Sequence, residues 1–169
     1  MEKFLKRENL PLINLVLLLL VCYLAYDKYN INSVVTSDNS LNEIKLVRCI
    51  DGDTSEFSKI GKTRFLLIDT PESTKKKEKY GKEASNYTCN TLKKAKKITY
   101  EYDGETKDKY NRSLAYIFVD NKLLQSEIAK QGYVKRFYIK KNYKYKYESK
   151  IRASINDKYG ILTKDSILR

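Results

Sequence analysis

The chain opens on a pattern with no polar face. After a basic start carrying Lys3, Lys6 and Arg7, residues 10–26 read LPLINLVLLLLVCYLAY, close to the minimum length of an apolar helix that crosses a bilayer. A core helix needs one apolar stripe, not apolar side chains all round, so this segment is expected to be a transmembrane anchor or an export signal. Residues 1–9 would then stay in the cytoplasm, and everything after the segment would lie outside, at the cell membrane or secreted. Residues 27–40, DKYNINSVVTSDNS, are polar and lack a sustained period, as a linker does.

From residue 41 to 169 the pattern is that of a folded domain. Apolar and polar positions alternate at 41–50, 54–60, 62–69, 97–103 and 112–119 between turn signals, which predicts strands. Helical spacing appears at 78–95, at 122–131 with Gly132 as its stop, and at 143–156. This order predicts an α+β domain: a five-stranded antiparallel, partly closed barrel compatible with an OB-fold, with about three helices, preceded by the N-terminal transmembrane or signal helix.

Composition narrows the chemistry. With 34 Lys and Arg against 21 Asp and Glu, the net charge of +13 suits a polyanionic partner, although a biased base composition also makes a chain basic. Histidine is absent, which excludes an imidazole base, a His-ligated metal and a Ser-His or Cys-His pair. The work falls to carboxylates, Arg, Lys, Tyr or a hard cation. Cys22, Cys49 and Cys89 have no metal-ligand spacing and read as incidental; a Cys49–Cys89 bridge outside the cell stays open.

Three stretches carry candidate chemistry. Ile50-Asp51-Gly52-Asp53-Thr54 sits between two predicted strands, where Asp and Gly also serve an ordinary turn. In Arg64-Phe65-Leu66-Leu67-Ile68-Asp69-Thr70-Pro71-Glu72, alternation puts Arg64 on the face of Leu66 and Ile68. A cation there needs a partner: either a structural Arg–Asp pair, or a phosphate, whose oxygens the planar guanidinium matches. Asp108-Lys109-Tyr110-Asn111-Arg112-Ser113-Leu114-Ala115-Tyr116 is by itself a hairpin turn entering a strand.

Together, in this order and spacing, the three stretches resemble the staphylococcal nuclease (thermonuclease) family, with further similarity in Glu78 to Ala84, Ala95 to Ile98 and Gln131-Gly132. The resemblance covers residues 41–159. It implies a Ca²⁺-dependent endonuclease acting on DNA or RNA and leaving 3′-phosphate ends. The cation would be held by the carboxylates of Asp53 and Asp69 and the backbone carbonyl of Thr70, with water and substrate completing an oxygen shell. Glu72 would activate the attacking water, and Arg64 and Arg112 would grip the phosphate. Lys109 and Tyr110 would contact a terminal phosphate, Tyr138 would flank the nucleoside, and Asp51 would support the site.

This chain departs from the family's pattern in a shorter loop after Glu72, in Asn111 where Gly is usual, and in Lys140 where a second nucleotide-facing Tyr is common. A non-catalytic nucleic-acid-binding barrel is the alternative reading, but such a module has no need of Asp53, Asp69, Glu72, Arg64 and Arg112 together. A monomer without a protein partner is expected.

Overall fold

The computed structural model describes residues 10–35, 42–74, 76–139 and 143–162. The chain divides into two units, residues 1–39 and 40–169. In the first, helix α1 spans Leu10–Val35, longer than the apolar run. Residues 27–35, expected to be irregular linker, continue the helix because they contain neither Pro nor Gly to stop it. Leu15, Leu18 and Leu24 are exposed. Among the described residues, no helix is long and apolar enough to cross a membrane, so the span expected at 10–26 is not found there.

The second unit is a nearly closed barrel. Its strands are β1 (Glu43–Ile44), β2 (Leu46–Cys49), β3 (Thr54–Phe57), β4 (Gly61–Phe65), β5 (Ile68–Asp69), β6 (Ile98–Lys107), β7 (Ser113–Val119), β8 (Lys122–Leu123) and β9 (Arg136–Phe137). The main sheet runs β1-β6-β7-β4-β3-β2, with β8 beside β7. Its two ends, β1 and β2, are consecutive in the chain and separated by Lys45 alone, so the single strand expected at 41–50 turns a corner and pairs at both edges. Lys45 N–H donates to Ser58 Oγ at 2.8 Å and its carbonyl accepts from Ser58 N–H at 2.9 Å, securing the corner.

One pairing corrects the all-antiparallel expectation: β4 and β7 are parallel, with Thr63 opposite Ser113 and Arg64 opposite Leu114. The intervening chain holds helix α2 (Gly81–Lys94) and β6, long enough for the crossover that parallel strands require. The strand expected at 62–69 is also broken. Leu67 takes a left-handed φ of 72°, which ends the alternation after Phe65 and lets Ile68–Asp69 pair instead with β9.

The core is built from Phe57, Phe65, Leu67, Ile68, Tyr116, Ile117, Leu123, Leu124, Ile128 and Ile151. Helix α3 (Leu124–Lys130) adds Leu124, Ile128 and Ala129 to it. There the buried Gln125 amide accepts from Ile117 N–H at 3.2 Å and donates to the Ala115 carbonyl at 3.1 Å, as a neighbouring strand would. The last helix, α4, is Glu148–Ala153, shorter than the 143–156 expected. Tyr143, Tyr145 and Tyr147 recur every second residue, a strand-like period that lays Tyr147 edge-on against Tyr116 at 4.8 Å and leaves no helical face.

The cysteines are not incidental. Cys49 and Cys89 form a disulfide that joins the end of β2 to α2, and Thr88 Oγ1, one residue away, donates to the Gly52 carbonyl at 2.7 Å. Spacing offers no sign of this pairing, because the cysteines are 40 residues apart and only the fold brings them together. Cys22 is free and exposed.

Candidate active site

The turn between β2 and β3 aims two carboxylates by tight local bonding. Ile50 and Asp51 N–H both donate to the Thr54 carbonyl, at 3.3 and 2.9 Å. Asp53 accepts from the Thr54 hydroxyl at 2.9 Å, and its other oxygen accepts from Thr70 N–H at 2.8 Å and Thr70 Oγ1 at 3.2 Å. Gly52 permits this approach, since a Cβ there would meet Thr70 Oγ1 at 2.5 Å.

Asp51 lies against the following loop. Its carboxylate accepts from Gly52 N–H and Ser73 Oγ, each at 2.8 Å. Burial, followed by a hydrogen bond with Glu72, pushes its acid up to about 6 against the opposing bonds from Ser73 and Gly52. Glu72 itself accepts from Thr74 N–H at 3.1 Å and from the Thr74 hydroxyl. The backbone of Glu72 is held by Glu78, whose side chain accepts from Glu72 N–H at 2.9 Å and whose N–H donates to the Glu72 carbonyl at 2.8 Å. Helix α2 begins hard against this carbonyl: a Cβ on Gly81 would lie 2.2 Å from it.

Arg64 is the centre of the arrangement. Its guanidinium lies 3.2 Å from Asp53 Oδ2 and 2.9 Å from Asp69 Oδ1, bridging the two carboxylates, and donates to the Ile68 carbonyl at 2.6 Å and the Phe65 carbonyl at 3.3 Å. The side chain is 10% exposed, so the pairing is nearly desolvated. Asp69 also receives Arg136 Nε at 2.9 Å and faces Lys135 Nζ at 3.6 Å.

Arg112 is placed by the turn joining β6 to β7. Asp108 accepts from Tyr110 N–H, Arg112 N–H and Arg112 Nε at 2.9, 2.9 and 2.7 Å. Burial opposes ionisation of Asp108, but these bonds and the Arg112 charge hold its acid below the usual carboxylate range. Asn111 takes a left-handed φ of 59°, a conformation Asn tolerates. Tyr110 is exposed, with Lys109 Nζ 5.1 Å and the Arg112 guanidinium carbon 5.6 Å from its ring centre. Tyr138, also exposed, has the guanidinium carbons of Arg64 and Arg136 at 5.5 and 5.2 Å.

All the residues named from sequence, Asp51, Asp53, Arg64, Asp69, Thr70, Glu72, Lys109, Tyr110, Arg112 and Tyr138, line one cleft of about 820 Å³. Lys140 lies outside the described residues. Sequence reading missed Lys62, Lys76, Lys135 and Arg136, cations that line the same cleft, and Glu78, which binds Lys135 Nζ at 2.6 Å. The signal for Arg136 was its place two residues before Tyr138, which puts both on one side of an extended segment.

Among the described residues no three Asp, Glu, His or Cys side chains cluster as a metal site. Two carboxylates do converge, Asp53 and Asp69, and they already enclose a positive charge, that of Arg64. Their donor atoms are all oxygens, the type a hard cation takes together with a carbonyl, water and phosphate.

The barrel thus interleaves carboxylates and guanidiniums in one open cleft, and guanidiniums so placed can bind phosphate oxygens. Residues 62–161 match the staphylococcal nuclease homologues, and the chain belongs to that family. The match begins after the turn that holds Asp51 and Asp53. The chain is 39% identical over 107 residues to a thermonuclease of Staphylococcus hyicus, covering 60% of this chain and 63% of that protein. It is 38% identical over 105 residues to a thermonuclease of Staphylococcus intermedius, covering 59% and 62%. To endonuclease YncB of Bacillus subtilis (strain 168) it is 39% identical over 113 residues, covering 60% and 53%. In each case the similarity spans less than two thirds of the relative's length.

Proposed function

We propose that this chain is a Ca²⁺-dependent endonuclease that hydrolyses phosphodiester bonds of DNA, and of RNA, leaving 3′-phosphate ends. The observation that carries the reading is the bridge of Arg64 between Asp53 and Asp69 in a cleft that also holds Glu72 and Arg112. Family membership supports it, as do the names of the relatives.

Asp53, Asp69 and the Thr70 carbonyl would hold the cation, which when bound supplies Lewis-acid polarisation of a phosphoryl oxygen. Arg64 and Arg112 bind the non-bridging oxygens through N–H groups that stand in place before substrate arrives. Glu72 accepts a proton from water as the water oxygen bonds to phosphorus. The bond from phosphorus to the 5′-oxygen breaks on the far side, that oxygen takes a proton from solvent, and the phosphate stays on the 3′-oxygen. Asp51 shares a hydrogen bond with Glu72 and so orients it. Lys109 and Tyr110 contact a terminal phosphate, and Tyr138 stacks on a nucleoside, which favours unpaired strands.

We place this activity outside the cytoplasm, the chain being tethered or exported through residues 10–26. The Cys49–Cys89 disulfide supports an oxidising compartment, and the leucine-rich run supports a membrane or export segment. The full chain should cleave single-stranded DNA with Ca²⁺ and lose that activity in EGTA. Binding without cleavage under any divalent ion would instead make it a nucleic-acid-binding module.

A further inference from the structure

Helix α2 forms a shared wall for two parts of the cleft. Thr88 Oγ1 donates at 2.7 Å to the Gly52 carbonyl, in the turn that carries Asp51 and Asp53, and a Cβ on Gly52 would meet the Ala84 side chain at 3.0 Å. In the first turn of the helix, Gly81 packs directly on the Glu72 carbonyl. The positions of the Asp51–Asp53 turn and of Glu72 therefore both depend on where α2 lies.

The helix has little apolar surface to hold it there. In its sequence, GKEASNYTCNTLKK, Tyr87 and Leu92 are the large apolar side chains, and the residues it buries are Gly81, Ala84, Thr88 and Leu92. Small side chains remove little area from water, so hydrophobic burial contributes modestly to this docking. Strand β2 is also held from one side: it ends the main sheet, paired with β3, and its register shifts between Leu46 and Arg48. The Cys49–Cys89 bond joins these two elements with Cα atoms 5.6 Å apart, just before Asp51 and just after Thr88. Both cysteines are half-buried, within reach of an incoming thiol.

We propose that Cys49–Cys89 is a redox modification site that switches the cleft on. Oxidised, it locks α2 against β2 and fixes the Asp51–Asp53 turn and Glu72. Reduced by the dithiol of a thiol–disulfide oxidoreductase, it frees α2, and the carboxylates lose their alignment. In that exchange a thiolate of the dithiol attacks one cysteine sulfur, and the other cysteine leaves as a thiolate and takes up a proton. The second thiol of the dithiol then displaces the first cysteine, closing its own disulfide, so two electrons and two protons pass to the cysteines. The chain is thus inactive in a reducing cytoplasm and active in an oxidising compartment. The catalytic consequence rests on the nuclease reading of the cleft.

The test uses the full chain carrying Cys22→Ser, so that only the pair responds. It is compared oxidised, reduced with dithiothreitol, and reoxidised, for Ca²⁺-dependent cleavage of single-stranded DNA and for amide hydrogen exchange. Reduction should lower cleavage by about a hundredfold, the scale of loss when a reacting group is displaced by about an ångström. Reoxidation should restore it. Amides of α2 and of the Asp51–Asp53 turn should exchange faster on reduction, while those of β6 and β7 keep their protection. A chain with Cys49→Ser and Cys89→Ser should match the reduced protein and ignore dithiothreitol.

Equal cleavage by the oxidised and reduced chains would overturn the proposal. Loss of protection throughout the barrel would overturn it too, making the bond a general staple of the fold. The local change in exchange, seen in a chain that cleaves in neither state, would remove the nuclease reading and leave redox control of the turn standing.

Discussion

The two arginines proposed to grip the scissile phosphate are held by opposite means. Arg64 lies on a central strand, 10% exposed, and its guanidinium meets two carboxylates and two backbone carbonyls. Arg112 lies in a hairpin turn, 26% exposed, and its ion pair is with Asp108, four residues before it. The first is part of the core's polar accounting, where removing one partner leaves buried charge. The second is local, its partner Asp108 belonging to the same turn. One side of the cleft is therefore inseparable from the fold, and the other can be altered without touching it.

The largest effect expected from this contrast is at Arg64. Arg64→Lys should cut turnover about a hundredfold or more and lower the unfolding free energy by about 2 kcal/mol, because an ammonium cannot span both carboxylates. Activity assays and urea denaturation read the two losses; activity lost without stability would erase the distinction. The disulfide secures the same side of the cleft by joining the strand before the Asp51–Asp53 turn to α2. By loop-closure entropy its removal in a Cys49→Ser, Cys89→Ser chain should cost about 4 kcal/mol of stability. A shift well below that in denaturant unfolding would mean that the barrel alone secures the turn. The smallest effect is at Arg112, where Lys should lower turnover about tenfold to a hundredfold and leave the unfolding midpoint unchanged. A matching loss of stability would show that Arg112, too, is built into the fold.

Much of this contrast is legible in the amino-acid sequence. Alternation locates the principal strands because each keeps one face on the core, and the Arg64 position stands out as a charge on that face. The breaks are hidden. Leu67 carries a left-handed φ that Leu rarely adopts, so nothing in its identity ends β4 or frees Ile68 and Asp69 for a second sheet. Strand β9 is two residues long and exists through pairing with β5, too short for any period to reveal. The Cys49–Cys89 bridge and the parallel β4–β7 pair are tertiary facts, set by where the crossover returns the chain. Resemblance to the family identifies the motif residues; Lys135 and Arg136 belong to none of the motifs, and apart from the spacing of Arg136 to Tyr138 it is the folded geometry that brings them to the cleft.

In the proposed mechanism Glu72 takes the proton from the attacking water while the rest of the cleft binds. The most direct measurement compares the full chain with its Glu72→Gln variant for Ca²⁺-dependent cleavage and for oligonucleotide binding under the same conditions. Turnover of the variant should be lower by about a hundredfold to ten-thousandfold, with binding within about twofold. Equal turnover in the two proteins would contradict it.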